Sequence, residues 1–402
     1  MTTHDTITAS LGARAAARTR VFGDSIWTGI LTQLRKHPDP VYFGDGSPAR
    51  EAMPIERLRL ASARAWEDAP ACLGYGDQPG YEPLRQLVSQ RIARRGIRAT
   101  ADDVLITSGS TQAIDLACRV LLEPGDAILV ELPTFLGALE IFATFEVHIV
   151  GVGTDAHGMR MDALEAALAA TPNAKAIYTI PTFQNPSGST LPLDRRRQML
   201  ELARRHNVAI LEDDPYGELQ YDGEAVPPLR ALDDQVIHVG TFSKTIAPGI
   251  RTGFAIAPPE IYRLMLAMRE VTDISNDRIT MRTVYHTAVD FLDGHLDLAR
   301  QLYRSRRDAM LRALDAHMPP GVTWSRPNGG FFIWVSLPES VDGERLFEHS
   351  AANGVIFFPG EWFYPDRDRS HTLRLSFSTV PEDRIALGVA RLGETIRSHL
   401  EQ

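Results

Sequence analysis

The chain has 402 residues, 44% of them hydrophobic and 23% charged, an ordinary composition for a globular protein and long enough for two cores rather than one. Forty-two basic against fifty-one acidic side chains leave a formal charge of -9, which repels phosphate backbones and anionic lipid and argues against nucleic acid as a partner. No apolar run is long enough to span a bilayer and no signal-like apolar region opens the chain, so no membrane association and a cytoplasmic location are expected.

In chain order, residues 1–45 read as an N-terminal arm followed by a covering segment. From about residue 100, short β-branched runs alternate with longer helical patterns, the signature of an α/β fold with a mostly parallel sheet flanked by helices. DVLITSG (103–109) predicts a strand feeding a helix at about 110–122, and PGDAILVELP (124–133) a turn and strand. AKAIYTIP (174–181), NVAILEDD (207–214) and QVIHVGTFSK (235–244) predict further strands, with a helix over 193–206. Residues 259 to about 312 are mostly helical in pattern. Beyond Pro319, NGGFFIWVSLP, a helix near 341–353, GVIFFPGEWFY and LRLSFS suggest a smaller α+β domain. The expected division is a large domain over 46–290 and a small one over 291–402 that includes part of the N-terminal arm.

Some chemistries find no support. Cys72 and Cys118 form no CxxC pair and read as reduced thiols. The histidines lack HExxH spacing, so no metal is expected. GVGTDAHG (151–158) approaches a dinucleotide fingerprint, but its third glycine is misplaced and no helix pattern opens there.

Ligands of open parallel sheets bind at the carboxyl ends of the strands. The residues following those ends are Ser110 and Thr111, then Gln184 to Gly188, then Asp213 to Tyr216, then Thr241, Ser243 and Lys244, with Arg251 seven residues on. Hydroxyl residues at a helix start, joined by Thr241, Ser243 and a guanidinium, suit a dianionic phosphate. Only three of the basic residues are lysines: Lys36, Lys175 and Lys244. An arginine stays protonated, so imine chemistry with an aldehyde is confined to those three positions.

The elements SGSTQ, ELPTF, QNPSG, EDDPY, TFSKTIAPGIRTG, NGGFF and LRLSFS resemble, in order and spacing, the fold-type I pyridoxal-phosphate aminotransferases, particularly the group of α-aminoadipate and kynurenine aminotransferases. The resemblance runs from about residue 20 to the C-terminus. It implies an aspartate-aminotransferase-like fold and pyridoxal 5'-phosphate as cofactor, with pyridoxamine phosphate as intermediate. Lys244 would carry the cofactor as a Schiff base and shuttle the substrate proton. Asp213 would pair with the pyridine nitrogen, while Asp214 reads as a helix-capping or surface acid. Asn185 and Tyr216 would donate to the phenolic oxygen, Phe135 would stack on the ring, and Arg374 would grip the substrate α-carboxylate. Gly46 would line the substrate entrance. Tyr75 would reach the phosphate site of a partner subunit, making the active unit a homodimer.

The resemblance also implies the reaction, transfer of an amino group from an amino acid to a 2-oxo acid. Where dicarboxylate-accepting members place an arginine for the distal carboxylate, counting along this sequence falls near Trp27, with Phe22 and Asp24 close by. An indole cannot neutralise a carboxylate, so neutral, aromatic or cationic (including guanidino) amino acids are expected over dicarboxylates. Asp24 could meet a cationic group. Elimination, cyclisation or oxidation on the same fold, or a non-catalytic cofactor sensor, remain the alternatives.

Overall fold

A computed structural model describes residues 15–16, 18–19, 26–67, 69–367 and 371–401. Phe22 and Asp24 lie outside the described residues. Trp27 falls in the helix Ile26–Lys36, but its side chain is likewise outside them.

The strands, in chain order, are β1 (Val41–Tyr42), β2 (Val104–Thr107), β3 (Ala127–Leu132), β4 (His148–Asp155), β5 (Gly158–Met159), β6 (Ala174–Thr179), β7 (Ala209–Asp213), β8 (Ile237–Thr241), β9 (Gly253–Ile256), β10 (Thr323–Trp324), β11 (Phe332–Ser336), β12 (Val355–Ile356), β13 (Phe358–Pro359) and β14 (Thr372–Ser376). Eight of them form one sheet in the order β2-β9-β8-β7-β6-β3-β4-β5. Strands β4, β3, β6, β7 and β8 run parallel, and β2 and β8 are buried along their whole length. Strands covered on both faces must be apolar throughout, which is why these segments read as short continuous runs.

The connecting helices predicted at about 110–122 and 193–206 form there, as Ser110–Leu121 and Leu193–His206; two more, Leu136–Thr144 and Met161–Ala170, left no pattern that the sequence reading picked up. Leu193–His206 begins with Asp194 in its first turn and ends with Arg204, Arg205 and His206 in its last, matching the helix dipole, and Asn207 closes it in the left-handed conformation at φ 53°. Leu292–His317 continues a helical stretch begun by Pro259–Thr272 and Arg278–Ala288.

Two elements differ from the sequence reading. Strand β9 lies between β2 and β8 and runs antiparallel to both. Only eleven residues, Phe242 to Thr252, link β8 to β9, and that stretch holds no crossover helix, so the chain can only double back. Strand β4 with its hairpin partner β5 occupies the GVGTDAHG stretch. A Cβ at Gly151 would stand 2.7 Å from the Leu132 side chain; this glycine answers a packing demand between strands rather than a phosphate.

C-terminal strands form an antiparallel sheet in the order β10-β11-β14-β13, and β1 pairs in parallel with β12. The N-terminal chain is thereby tied to the C-terminal elements. One buried apolar cluster reaches from Leu84 and Ile106 to Phe331, Leu375 and Ile396, so the region between the two sheets is itself core. Both cysteines are buried and unpaired.

Gly253, which opens β9, faces main chain on all sides: a Cβ there would lie 2.7 Å from the carbonyl carbon of Gly109 and 2.8 Å from Gly240 O and Ser110 N. Main chain cannot step aside as a side-chain tip can. Gly253→Ala is therefore expected to cost about 1–3 kcal/mol, read as a lower denaturant midpoint at unchanged slope.

Candidate active site

A cavity of about 290 Å³ opens at the carboxyl ends of the parallel strands. Asp213, the last residue of β7, forms its floor and is 2% exposed. The Tyr178 hydroxyl, from β6, donates to Asp213 Oδ2 at 2.8 Å, while Oδ1 is buried with no partner among the described residues. Burial pushes the Asp213 carboxyl up to about 7, against the Tyr178 hydrogen bond that pulls it down; Asp214 pushes it further up. A buried oxygen left unmatched asks for a donor from outside the chain, and a cationic N–H is the donor that would restore full ionisation. The ring nitrogen of a pyridinium meets that demand.

Lys244 follows β8 by three residues, and its Nζ donates to Gly46 O at 2.9 Å. Loss of hydration, then the positive charge of Arg374, lowers the amine to about 8. Such an amine is substantially neutral, hence nucleophilic, near physiological pH. Tyr216 is buried edge-on against Phe331 and Phe332, with its ring centroid 6.0 Å from Lys244 Nζ. Burial raises its hydroxyl above the ordinary range.

An anion cradle adjoins this pair. The helix Ser110–Leu121 begins at Gly109, whose φ of 80° only glycine adopts easily, and Ser110 and Thr111 open its first turn with main-chain N–H groups that lack helical acceptors. Arg251 Nη2 donates to Ser108 O at 3.2 Å, and a Cβ on Gly109 would come within 2.5 Å of that nitrogen. Thr241 Oγ1 donates to Ser243 Oγ at 3.0 Å on the facing side. Two hydroxyl pairs, a helix N-terminus and a guanidinium thus line one end of the cavity, a set that fits a phosphate.

Arg374 supplies the opposite end. It is 4% exposed on β14, between β11 and β13. Its Nη1 donates to Asn185 Oδ1 at 2.8 Å and its Nη2 to Gly44 O at 2.7 Å. Its guanidinium carbon lies 4.1 Å, 4.7 Å and 5.0 Å from the ring centroids of Phe332, Phe358 and Phe363. Ring faces offset part of the lost hydration of a buried cation, yet burial still lowers this guanidinium to about 10.

Asn185 is delivered by a loop pinned to a second buried carboxylate. Glu131, at the end of β3, accepts from Thr179 Oγ1, Ile180 N and Gln184 Nε2 at 2.9, 3.0 and 3.2 Å. Burial pushes Glu131 up to about 7 despite these bonds. With Asn185 Oδ1 taken by Arg374, only its amide N–H₂ remains to donate into the cavity.

The structure thus gathers Gly46, Ser110, Thr111, Phe135, Asn185, Asp213, Tyr216, Thr241, Ser243, Lys244, Arg251 and Arg374 around one cavity. Tyr75 stays away from it, 88% exposed. Asp214 corrects the sequence reading: it is buried, ion-paired to Arg95, and accepts from Gly217 N at 3.1 Å. It neutralises Arg95 beneath the floor instead of facing solvent. Sequence reasoning missed Tyr178, Phe332, Asp45 and Glu140. Phe332 stands in the NGGFF string, so its segment was visible though its role was not; Tyr178 sits inside a strand where a tyrosine reads as core.

The sequence matches the model of the family described as aminotransferase class I and II over residues 39–392. It is 40% identical over 381 residues to aromatic-amino-acid aminotransferase 1 of Thermococcus litoralis, covering 92% of this chain and 91% of that protein. To the 2-aminoadipate transaminase of Thermus thermophilus it is 35% identical, covering 92% and 93%. The crystal structure of kynurenine aminotransferase from Pyrococcus horikoshii in complex with PMP superposes with a TM-score of 0.91 at 38% identity, over 97% of this chain and 98% of that one. Fold and site together define a pyridoxal-phosphate-dependent transaminase with an aspartate-aminotransferase-like fold. The chain belongs to the class I and II aminotransferases, within the group that holds the aminoadipate and kynurenine enzymes.

The lowered Lys244 amine makes a test of the geometry. Covalent capture of pyridoxal phosphate by the cofactor-free protein is expected to quicken as pH rises through about 8 and then level off, because only the neutral amine attacks. In Arg374→Met, loss of the neighbouring positive charge shifts that curve to higher pH, measured by the absorbance change on mixing.

Proposed function

We propose that this transaminase takes its amino group from an L-amino acid with a neutral, aromatic or cationic side chain and passes it to a 2-oxo acid, with dicarboxylic amino acids the poorer donors. The carrying observation is the distribution of positive charge. Among the described residues the cations lining the cavity are Lys244, Arg251 and Arg374, and each is committed to the cofactor or to the α-carboxylate. Among these described residues none is left for a distal carboxylate, whose desolvation would go uncompensated.

Pyridoxal phosphate, when bound, supplies an electron sink for the pair left behind as the substrate α-proton departs. The chain supplies the rest on this reading. Lys244 would hold the cofactor and would move a proton between the substrate α-carbon and the cofactor carbon C4′. Asp213 keeps the proton on the pyridine nitrogen, and its unpartnered Oδ1 supports that role. Asn185 and Tyr216 donate to the phenolic oxygen, Phe135 covers one ring face, and Ser110, Thr111, Thr241, Ser243 and Arg251 hold the phosphate. Arg374 receives the substrate carboxylate by two parallel hydrogen bonds, trading its contacts to Asn185 and Gly44. Gly46 lines the entrance, beside the covering segment that carries Asp24 and Trp27.

The same reading takes residues 46–290 as the cofactor-binding domain and 291–402, joined by part of the first 45 residues, as the smaller one. It makes the active unit a cytoplasmic homodimer. Tyr75, strongly exposed near the exposed Leu73 and Trp66, supports a face that another subunit covers, since large apolar residues clustered in the open mark association surfaces. Equal mixing of Lys244→Ala with Tyr75→Ala, denatured and refolded together, should restore part of the activity each variant lacks. No gain over the separate proteins would refute shared sites.

The substrate assignment is tested by a panel of amino donors and 2-oxo acid acceptors with product mass spectrometry, Lys244→Ala serving as the inactive control. Neutral, aromatic or basic donors should lead. Steady-state kinetics in which 2-aminoadipate exceeds all of them would overturn the assignment.

A further inference from the structure

Among the described residues three acidic side chains line the cavity: Asp45, Asp213 and Glu140. The first two are used. Asp213 is the floor already described, and Asp45 Oδ1 accepts from Ser47 N at 2.8 Å in the loop beneath Lys244. Glu140 makes no hydrogen bond or salt bridge among the described residues, and it is half-buried on the helix Leu136–Thr144.

Its place on that helix fixes its distance from the chemistry. Phe135 precedes the helix, Leu136 and Gly137 open its first turn, and all three line the cavity. Residues three and four apart share a helix face, so Glu140 continues the same wall one turn beyond Leu136 and Gly137, about 5.4 Å along the axis. A substrate held with its α-carboxylate at Arg374 and its amino group at Lys244 has its side chain left to fill the remaining space, and this wall ends in a carboxylate.

We propose that Glu140 is the specificity-determining residue for the amino donor, receiving the cationic end of a long basic side chain, a guanidinium or ammonium, by a charge-assisted hydrogen bond. This rests on the reading of the protein as a transaminase that disfavours dicarboxylates, and narrows it to basic donors. A half-buried carboxylate with no hydrogen bond or salt bridge among the described residues attracts a cation and repels a second carboxylate, so one group performs both selection and rejection. Burial holds the Glu140 carboxyl above its ordinary range and Arg367 pulls it back. Arg367 itself is exposed and is not part of the cavity wall. A basic donor would therefore be the cation that approaches Glu140 from within the cavity.

L-Arginine and L-citrulline have nearly the same shape and differ in charge at the distal end, so the ratio of their kcat/KM values isolates that charge. The wild-type protein, loaded with cofactor, should prefer arginine. Glu140→Gln should lower the ratio by at least about tenfold, mainly through KM for arginine, and Glu140→Asp should retain much of the preference. The variant's visible cofactor absorbance reports that the site still assembles. An arginine-to-citrulline ratio unchanged in Glu140→Gln, or a wild-type protein that makes no distinction between the two, overturns the assignment. The two readings separate cleanly: neutral or aromatic donors accepted with arginine refused sinks Glu140 alone, whereas leading activity with 2-aminoadipate sinks the donor reading beneath it.

Discussion

The site depends on a carboxylate that the chain itself leaves half satisfied. Asp213 is buried at the end of a central strand, with one oxygen matched by Tyr178 and the other matched by no described residue. Burying such a group costs free energy unless a donor arrives. The protein therefore carries, at its centre, a deficit that a protonated pyridine would remove, and on the proposed reading cofactor binding and stability of the floor are linked through one atom. Asp214 next door shows the contrast: equally deep, it is fully answered by Arg95 and Gly217 and belongs to the scaffold.

Around that floor the sheet works as a distributor of charge. Parallel strands end side by side, so residues far apart in sequence arrive within one cavity, and each end contributes a different function. The helix after β2 offers main-chain N–H groups to an anion, β7 ends in the carboxylate, and the turn after β8 brings the amine. The antiparallel sheet closes the far side with Arg374, held among three aromatic rings. Two cations of quite different character result, an amine lowered to about 8 and a guanidinium that stays charged at about 10; on the proposed reading the first serves as nucleophile and the second holds the substrate.

Much of this was legible in the residues alone, for identifiable reasons. Hydrophobic runs and helical spacing located β2, β3, β6, β7 and β8 and the helix over 193–206, because burial on both faces of a sheet leaves a signature in composition, whereas β4, only partly buried, left none. The strand-end residues were legible because each chemical group sits directly after its strand, a relation local in sequence. What stayed hidden is set by tertiary arrangement. The direction of β9 follows from the length of its link to β8, not from the residues GFAI. Tyr178 and Phe332 reach the site from inside strands, where an aromatic residue looks like packing whatever it touches, and Asp214 could not be told from a surface acid without seeing Arg95 beside it. Glu140 was invisible because a lone carboxylate on a helix is usually a solvated one.

The short loop from Gly44 to Ser47 holds several of these groups by its carbonyl oxygens. Gly44 O receives Arg374, Gly46 O receives Lys244, and Ser47 O receives the Ser378 hydroxyl at 2.7 Å. A carbonyl is the same in every residue, so such wiring is indifferent to which side chains the loop bears. Crowding speaks against change, as at Gly44, where a Cβ would stand 2.3 Å from the Tyr42 ring. At Gly46 the room is also tight, 3.0 Å from such a Cβ to the Phe332 ring, and Asp45 Oδ1 accepts from Ser47 N, so freedom to change a side chain without disturbing the anchoring is concentrated at Ser47, whose contacts here run through its main chain.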